Sequence, residues 1–372
     1  MISKSPVTMD DPRVKTVHCS GSAYEIGFTH GSAAATEVHH NIGMYSDFFG
    51  ETAKVTWAQA RERAVTKFLP TIQRQWPEIV EEMRGIAAGA GGGLTLDDIV
   101  TLNVRTEIAF TNYTDGCTSV GQKAADGRVF LAQNWDMIPE LSQGMVFLHI
   151  APADSDLVLR FIGEAGIVGK MGMNSAGFGL CMNALRSASL NPSHMPVHVL
   201  VRRLLQYATS VDDALAIIDK YGLASSINLV MADKGGKVGD WECSPAGIFS
   251  IPLQVGPGYD YVAHANHFYA PGRPATLKDH PARDSFSRLA RMEELTELDA
   301  QKGVGPSFES LRARLSDQKN TPPAICRAIP PGATGTDRLV TLSTSIMDLT
   351  GGTAQVTIGR PCDDLPIVHW SF

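Results

Sequence analysis

One junction divides this sequence into two kinds of chain: helical patterning before Cys117 and hairpin patterning after it. Before the junction, Phe68, Ile72, Trp76, Ile79, Met83 and Ile86 recur at spacings of three and four, the period of one helix face. Ser22 followed by Glu25 forms a capping box, which predicts a helical stretch over 24–49, broken near Gly27 and Gly31. A second stretch over 57–88 is interrupted by Pro70 and Pro77, and Thr95 caps a third over 99–108. A short strand over 14–19 precedes them all.

After the junction, strand runs alternate with turn residues. Cys117–Lys123 and Val129–Gln133 flank Asp126-Gly127, a hairpin turn. Runs over 145–150 and 157–162, then 167–173 and 178–182, make two more hairpins. Helices follow over 197–207 and 211–221, the second capped by Ser210 and closed by Gly222. Strands resume over 226–232, 238–243, 247–252 and 261–265. A loop rich in Pro, Gly and His leads to helices over 285–298 and 308–315, and a last hairpin pairs 338–347 with 354–359. Hairpins separated by helix pairs predict an α+β fold with two packed antiparallel sheets sandwiched by helices. Neither a linker nor a repeat interrupts the chain, so a single domain over 1–372 is expected.

The remaining chemistry bounds the function. A formal net charge of -7 leaves no basic footprint for nucleic acid. The longest apolar runs fall short of the roughly 18 residues that span a bilayer. Met1-Ile2-Ser3-Lys4-Ser5-Pro6 lacks the apolar core of a secretory signal, which points to a cytoplasmic protein. Cys19, Cys117, Cys181, Cys243, Cys326 and Cys362 are scattered without a CxxC pair, and read as free thiols. His264 and His267 lack the spacing and carboxylate partners of a metal pair, so no metal is expected.

The junction itself offers a nucleophile. If the Gly116–Cys117 peptide bond were cut, Cys117 would carry a thiol and a free α-amine on one residue. A free thiol has a pKa of about 8.5 and an α-amine about 7.7–8.0, so the amine can serve as the thiol's base. Gly116 has no Cβ to obstruct attack on its carbonyl. The same residues also suit an ordinary turn, Asp115-Gly116, before a packed strand cysteine.

Longer motifs bear on that choice. Asp115-Gly116-Cys117-Thr118-Ser119, Gln133-Asn134-Trp135-Asp136 and the run from Ile162 to Gly177 resemble the isopenicillin N acyltransferases and their relatives among N-terminal-nucleophile enzymes. The resemblance continues in Leu102-Asn103-Val104-Arg105-Thr106-Glu107, Ile325-Cys326-Arg327-Ala328 and Gly359-Arg360-Pro361. It implies a four-layer αββα sandwich and self-cleavage between Gly116 and Cys117. The products would be a smaller chain, 1–116, and a larger chain, 117–372, that remain partners.

The resemblance also implies roles for single residues. Cys117 is the nucleophile. Asp136 orients the new amine, Asn266 donates its side-chain amide to an oxyanion, and Ser226 supports processing or holds substrate. Arg338 pairs with Asp136 or binds a substrate carboxylate. Thr118, Ser119 and Glu164 complete the expected substrate-binding set. Asp337 departs from the pattern, standing where the family carries a serine beside the arginine. The terminal Val368-His369-Trp370-Ser371-Phe372 holds no SKL-like tripeptide, which argues against peroxisomal import. The implied activity is acyl transfer or amide hydrolysis on a small-molecule amide, amine or acyl thioester through acyl-Cys117. No resident cofactor is implied, although an acyl-coenzyme A could donate the acyl group. The alternatives are a pure amidohydrolase of the β-alanyl-amine type and an uncleaved paralogue acting as a binding protein.

Overall fold

A computed structural model of the chain describes residues 7–8, 10–109, 116–256, 259–282, 284–321 and 323–372. Of the Asp115-Gly116 turn considered ahead of Cys117, Asp115 lies outside them, and Gly116 opens a strand. The Ser22 capping box is formed, with the Ser22 N–H donating to Glu25 Oε2 at 2.8 Å. It starts a helix over Ala23–Ala33 that runs through Gly27 and Gly31. The break falls instead at Ala34, before the helix Ala35–Thr52.

Those two glycines permit a backbone contact. A Cβ on Gly27 would stand 1.9 Å from the Glu82 carbonyl oxygen, and one on Gly31 would stand 2.1 Å from that of Ile86. From the other side, a Cβ on Gly85 would meet the Tyr24 carbonyl oxygen at 2.3 Å. The helices Ala23–Ala33 and Pro77–Ala90 therefore touch main chain to main chain, which any side chain would prevent. The prolines act as expected: Pro70 sits in the first turn of Leu69–Gln75 and Pro77 opens the next helix, where a missing N–H costs little.

Two eight-stranded sheets follow among the described residues. The first runs Val7–Thr8, Ile367–Ser371, Thr353–Ile358, Val340–Asp348, Val129–Met137, Gly116–Ala124, Tyr259–His264, Gln254–Gly256. The second runs Gly247–Ile251, Val238–Ser244, Ile227–Asp233, Phe178–Ala184, Gly172–Asn174, Leu159–Glu164, Met145–Pro152, Lys15–Gly21. Most pairings are antiparallel, both within hairpins and between strands distant in the chain. One pairing in each sheet is parallel: Val7–Thr8 with Ile367–Val368, and Lys15–Gly21 with Met145–Pro152. Parallel neighbours need a long crossover, and for Lys15–Gly21 with Met145–Pro152 it includes the helices between residues 21 and 109. The strand expected over 167–173 shrinks to Gly172–Asn174. Its first half is a loop at Gly169, where a Cβ would lie 2.5 Å from the backbone of the helix Val197–Tyr207.

The sheets pack face to face, closely enough at Gly121 that a Cβ there would lie 3.0 Å from both Val230 and Val238. Outside the first sheet, Val120, Phe130, Ala263 and Ile346 pack on Leu289, Met292, Leu311 and Leu315 of the helices Ser285–Gln301 and Phe308–Leu315. Outside the second lie the helices Val197–Tyr207 and Val211–Tyr221, with the N-terminal helices beside them. The result is the expected αββα sandwich.

The helical N-terminal part is tied into this sandwich by buried polar contacts as well as by its strand. Asn41 Nδ2 donates to the carbonyls of Gly144 and Ala165, each at 2.9 Å. Asn103 donates to the Gly166 carbonyl and accepts from Val168 N–H, both at 2.8 Å. The Gly166 N–H donates to His30 Nε2 at 3.0 Å.

Candidate active site

Cys117 is the second residue of the strand Gly116–Ala124, pairs across the ladder with Trp135, and is 2% exposed. Its side chain borders a cavity of about 10 Å³, room for about one water, with Arg105, Trp135, Lys170, Met182 and His198 around it. Two cationic side chains therefore face the space beside the thiol.

The backbone nitrogen of Cys117 has a specific partner. It donates to Asn266 Oδ1 at 2.8 Å. The same oxygen accepts from Arg288 Nη2 at 2.8 Å. Two donors converging on one atom fix the amide's orientation, because a flipped amide would point hydrogens at both. The Asn266 Nδ2 donates to the Ala184 carbonyl at 3.1 Å, leaving one further hydrogen on that nitrogen. Arg288 also donates through Nη1 to the Cys117 carbonyl oxygen and, at 3.0 Å, to Thr118 Oγ1.

A chain of charges continues from there. Arg288 Nε donates to Asp284 Oδ2 at 2.9 Å, and Arg327 Nη2 donates to the same oxygen. Arg327 Nε reaches Asp136 Oδ2 at 3.2 Å, and Thr341 Oγ1 donates to Asp136 Oδ1 at 2.7 Å. Asp136 is fully buried and sits opposite Gly116 in the ladder. A Cβ on Gly116 would lie 2.7 Å from Asp136 Oδ2. Alternating arginines and aspartates thus link Asp136 to the main chain of Cys117, each buried charge compensated by its neighbour.

Cys117, Gly116, Asp136 and Asn266 are accordingly brought together. Of the other expected residues, Thr118 joins them through Arg288, and the rest are placed elsewhere. Arg338 does not reach Asp136: it pairs with Glu140, is a third exposed, and leaves that place to Arg327. Arg338 lies just outside the strand Val340–Asp348, whereas Thr341, inside it, lies opposite Asp136 in the ladder. Thr118 and Ser119 are fully buried and bonded, the first to Arg288 and the second to Asn183 Oδ1 at 2.6 Å. Ser226 is buried against Ser187, with the hydroxyl oxygens 2.8 Å apart, while its neighbour Ile227 borders the cavity.

Glu164 lies behind the cavity wall. Its Oε1 accepts from Arg105 and from Lys170, each at 2.7 Å, and its Oε2 accepts from the Tyr45 hydroxyl. Burial would raise its pKa, but Arg105 and Lys170 hold it well below the usual carboxylate range. Burial and the same two cations push the His198 imidazole far below its ordinary value, so this ring is neutral. Lys170 Nζ also stands 3.8 Å from the centre of the Trp135 ring, a cation–π contact. His264 turns its Nε2 to Glu242 at 3.3 Å, and His267 its Nδ1 to Ser285 at 2.7 Å.

Arg288, Asp284, Arg327, Arg105 and Lys170 were not singled out by the sequence. Arg327, Arg105 and Lys170 stood inside the family motifs, where a cation amid apolar residues was the available signal. Asp284 and Arg288 show the i, i+4 spacing of a helix pair, which occurs on many solvated helices and has no specificity.

The family model described as acyl-coenzyme A:6-aminopenicillanic acid acyl-transferase matches residues 123–363. The chain is 33% identical over 347 residues to the acyl-coenzyme A:6-aminopenicillanic-acid-acyltransferase 40 kDa form of Emericella nidulans, a span covering 93% of this chain and 92% of that protein. Among solved structures, a variant of conjugated bile acid hydrolase from Clostridium perfringens has a TM-score of 0.47 at 13% identity, covering 69% of this chain and 97% of that one. Penicillin V acylase from Agrobacterium tumefaciens has a TM-score of 0.38 at 13% identity, covering 65% and 83%.

Proposed function

Because the chain belongs to the acyl-coenzyme A:6-aminopenicillanic acid acyl-transferase family, we propose that it cuts itself between Gly116 and Cys117 and then transfers or hydrolyses acyl groups through an acyl-Cys117 thioester. The observation that carries this reading is the attention given to one backbone nitrogen. The nitrogen of Cys117 is held by a buried side chain, Asn266, itself held by Arg288. That nitrogen is the atom that cleavage would turn into a base.

In the first stage, the Cys117 sulfur attacks the Gly116 carbonyl carbon and the peptide C–N bond breaks. The acyl group moves to sulfur, and the nitrogen gains the thiol proton. Water then hydrolyses the thioester, freeing the thiol and leaving a carboxylate on Gly116. Asp136, packed against Gly116, confines the geometry of that carbonyl.

In the second stage, the free amine takes the thiol proton as sulfur attacks the substrate carbonyl. It returns that proton to the leaving amine or thiol. Arg288 is a cation near the amine, which favours the neutral, basic form. Asn266 orients the amine through Oδ1 and has one further Nδ2 hydrogen for an oxyanion. An amine acceptor completes transfer, and water completes hydrolysis. Both outcomes use the same residues, so acceptor trials with an acyl-coenzyme A and a panel of amines distinguish them.

Intact mass tests the reading. Purified wild-type protein should separate under denaturing conditions into residues 1–116 and 117–372, and Cys117→Ala should remain whole and inactive. A wild-type chain that stays uncut for days would overturn it.

A further inference from the structure

Away from the cavity, two thiols face each other. Cys326 Sγ and Cys362 Sγ are 2.9 Å apart, and neither is bonded into a disulfide. A disulfide bond is about 2.05 Å long, so less than about an ångström of approach separates this contact from a bond. Neither sulfur belongs to the charge chain described above. Their positions nevertheless matter to it.

Cys326 is fully buried, and its N–H donates to the Asp317 carbonyl at 2.9 Å. The next residue is Arg327, which grips Asp136 and Asp284. Cys362 follows the strand Thr353–Ile358 and is half-buried, so a small oxidant can reach it. Arg360 lies beside both sulfurs. Burial would lower its pKa, but Cys326, Cys362 and Asp363 together raise it. Burial, and then the neighbouring Cys362, push the Cys326 thiol up, so it stays protonated and can supply a proton to a leaving group.

We propose that Cys326 and Cys362 are a redox site, closing reversibly into a disulfide that staples the Arg327 segment to the loop after Thr353–Ile358. The oxidant is a hydroperoxide. The Cys362 thiolate attacks one peroxide oxygen, the O–O bond breaks, and hydroxide leaves, giving a sulfenic acid. The Cys326 thiol then attacks the Cys362 sulfur. The S–S bond forms, the S–O bond breaks, and the hydroxyl leaves as water with the Cys326 proton. With hydrogen peroxide, two thiols become one disulfide and two waters. A dithiol reductant reverses the step by exchange. The cross-link closes a 36-residue separation and restricts the unfolded chain accordingly. It stands independently of the proposed acyl transfer, because neither sulfur touches Cys117.

The test uses the full-length Cys117→Ala chain, so the cavity thiol cannot compete. After limited hydrogen peroxide, digestion should yield one peptide pair joined through Cys326 and Cys362. The pair should disappear with dithiothreitol. Hydrogen exchange over 323–329 should slow about tenfold in the oxidised protein. Cys362→Ser should abolish both changes. If its fold is disturbed, peptide mapping of the parent chain alone decides the question. Independent alkylation of both thiols after peroxide, or sulfinic acid at Cys362 without a cross-link, would overturn the proposal.

Discussion

Gly116→Ala isolates the geometry of the proposed cleavage. The added methyl would lie 2.7 Å from Asp136 Oδ2, 2.9 Å from its Cβ and 3.2 Å from its Cγ. Ordinary van der Waals contact begins near about 3.5 Å, so about 0.6–0.8 Å of movement is required. The obstacle is contact with the Asp136 side chain. Asp136 cannot easily yield, because Arg327 and Thr341 hold both of its oxygens. The displacement therefore falls on the Gly116 carbonyl, the group that sulfur would attack in the proposed cleavage. Overpacking of this kind costs about 1–3 kcal/mol, and a misplacement approaching about 1 Å costs about 10²-fold in rate. Cleavage should be followed after cell-free synthesis, by the appearance of the 117–372 fragment on denaturing gels. The alanine variant should cleave about 10²-fold more slowly while its thermal midpoint falls by only a few degrees. Wild-type cleavage kinetics in a folded variant would refute the placement of Asp136 as the group that shapes this bond.

Other outcomes follow from the same geometry. Arg327→Met should slow cleavage and turnover by about 10²-fold, whereas Arg338→Met, which removes a partly exposed pair with Glu140, should change either within about threefold; the reverse order in a rate assay would return Asp136 to Arg338. Asn266→Ala should lower turnover by about 10²–10³, and Asn266→Asp, which keeps an oxygen for Cys117 and Arg288 but loses Nδ2, should recover self-cleavage more than turnover. Asp240, buried between the sheets, has its pKa pushed up to about 7 by burial. Its folded form holds a proton that the unfolded form releases near pH 4, so stability is lost as pH rises from about 4 to 7 and is level above that. Asp240→Asn should then gain stability over the parent across that window, by at most about 4 kcal/mol at pH 8, and urea midpoints differing by the same amount at pH 4 and pH 8 would contradict it.

The sequence exposed the local signals well. The hairpin opened by Cys117, the Ser210 and Ser22 caps, and the helix over 308–315 all rest on neighbours within a few residues, where turn and capping chemistry decides. Gly27 and Gly31 misled because a glycine inside a helical pattern looks like a weakness. Its purpose here, contact with Glu82 and Ile86, lies more than fifty residues away. The same distance problem hid the charge chain. Asp136 was legible beside Trp135, but its cation comes from residue 327, and nothing local distinguishes Arg327 from Arg338. Strand Ile367–Ser371 was missed because its pairing with Thr353–Ile358 is set by the sheet already formed.

The strand Lys15–Gly21, zipped along Met145–Pro152, has a consequence for the protein's history. Before a cut at residue 117, the two parts are one molecule and find each other at a fixed, high effective concentration. After such a cut, the Asn41, Asn103 and His30 contacts would keep them together, but the connection that guided assembly would be gone. Unfolding the cut protein at high dilution would then be a one-way event, with recovery growing with concentration, while an uncut Cys117→Ala chain would refold at any dilution. A chain cut in this way would be assembled once, and its maturity would be recorded in the loss of its ability to start again.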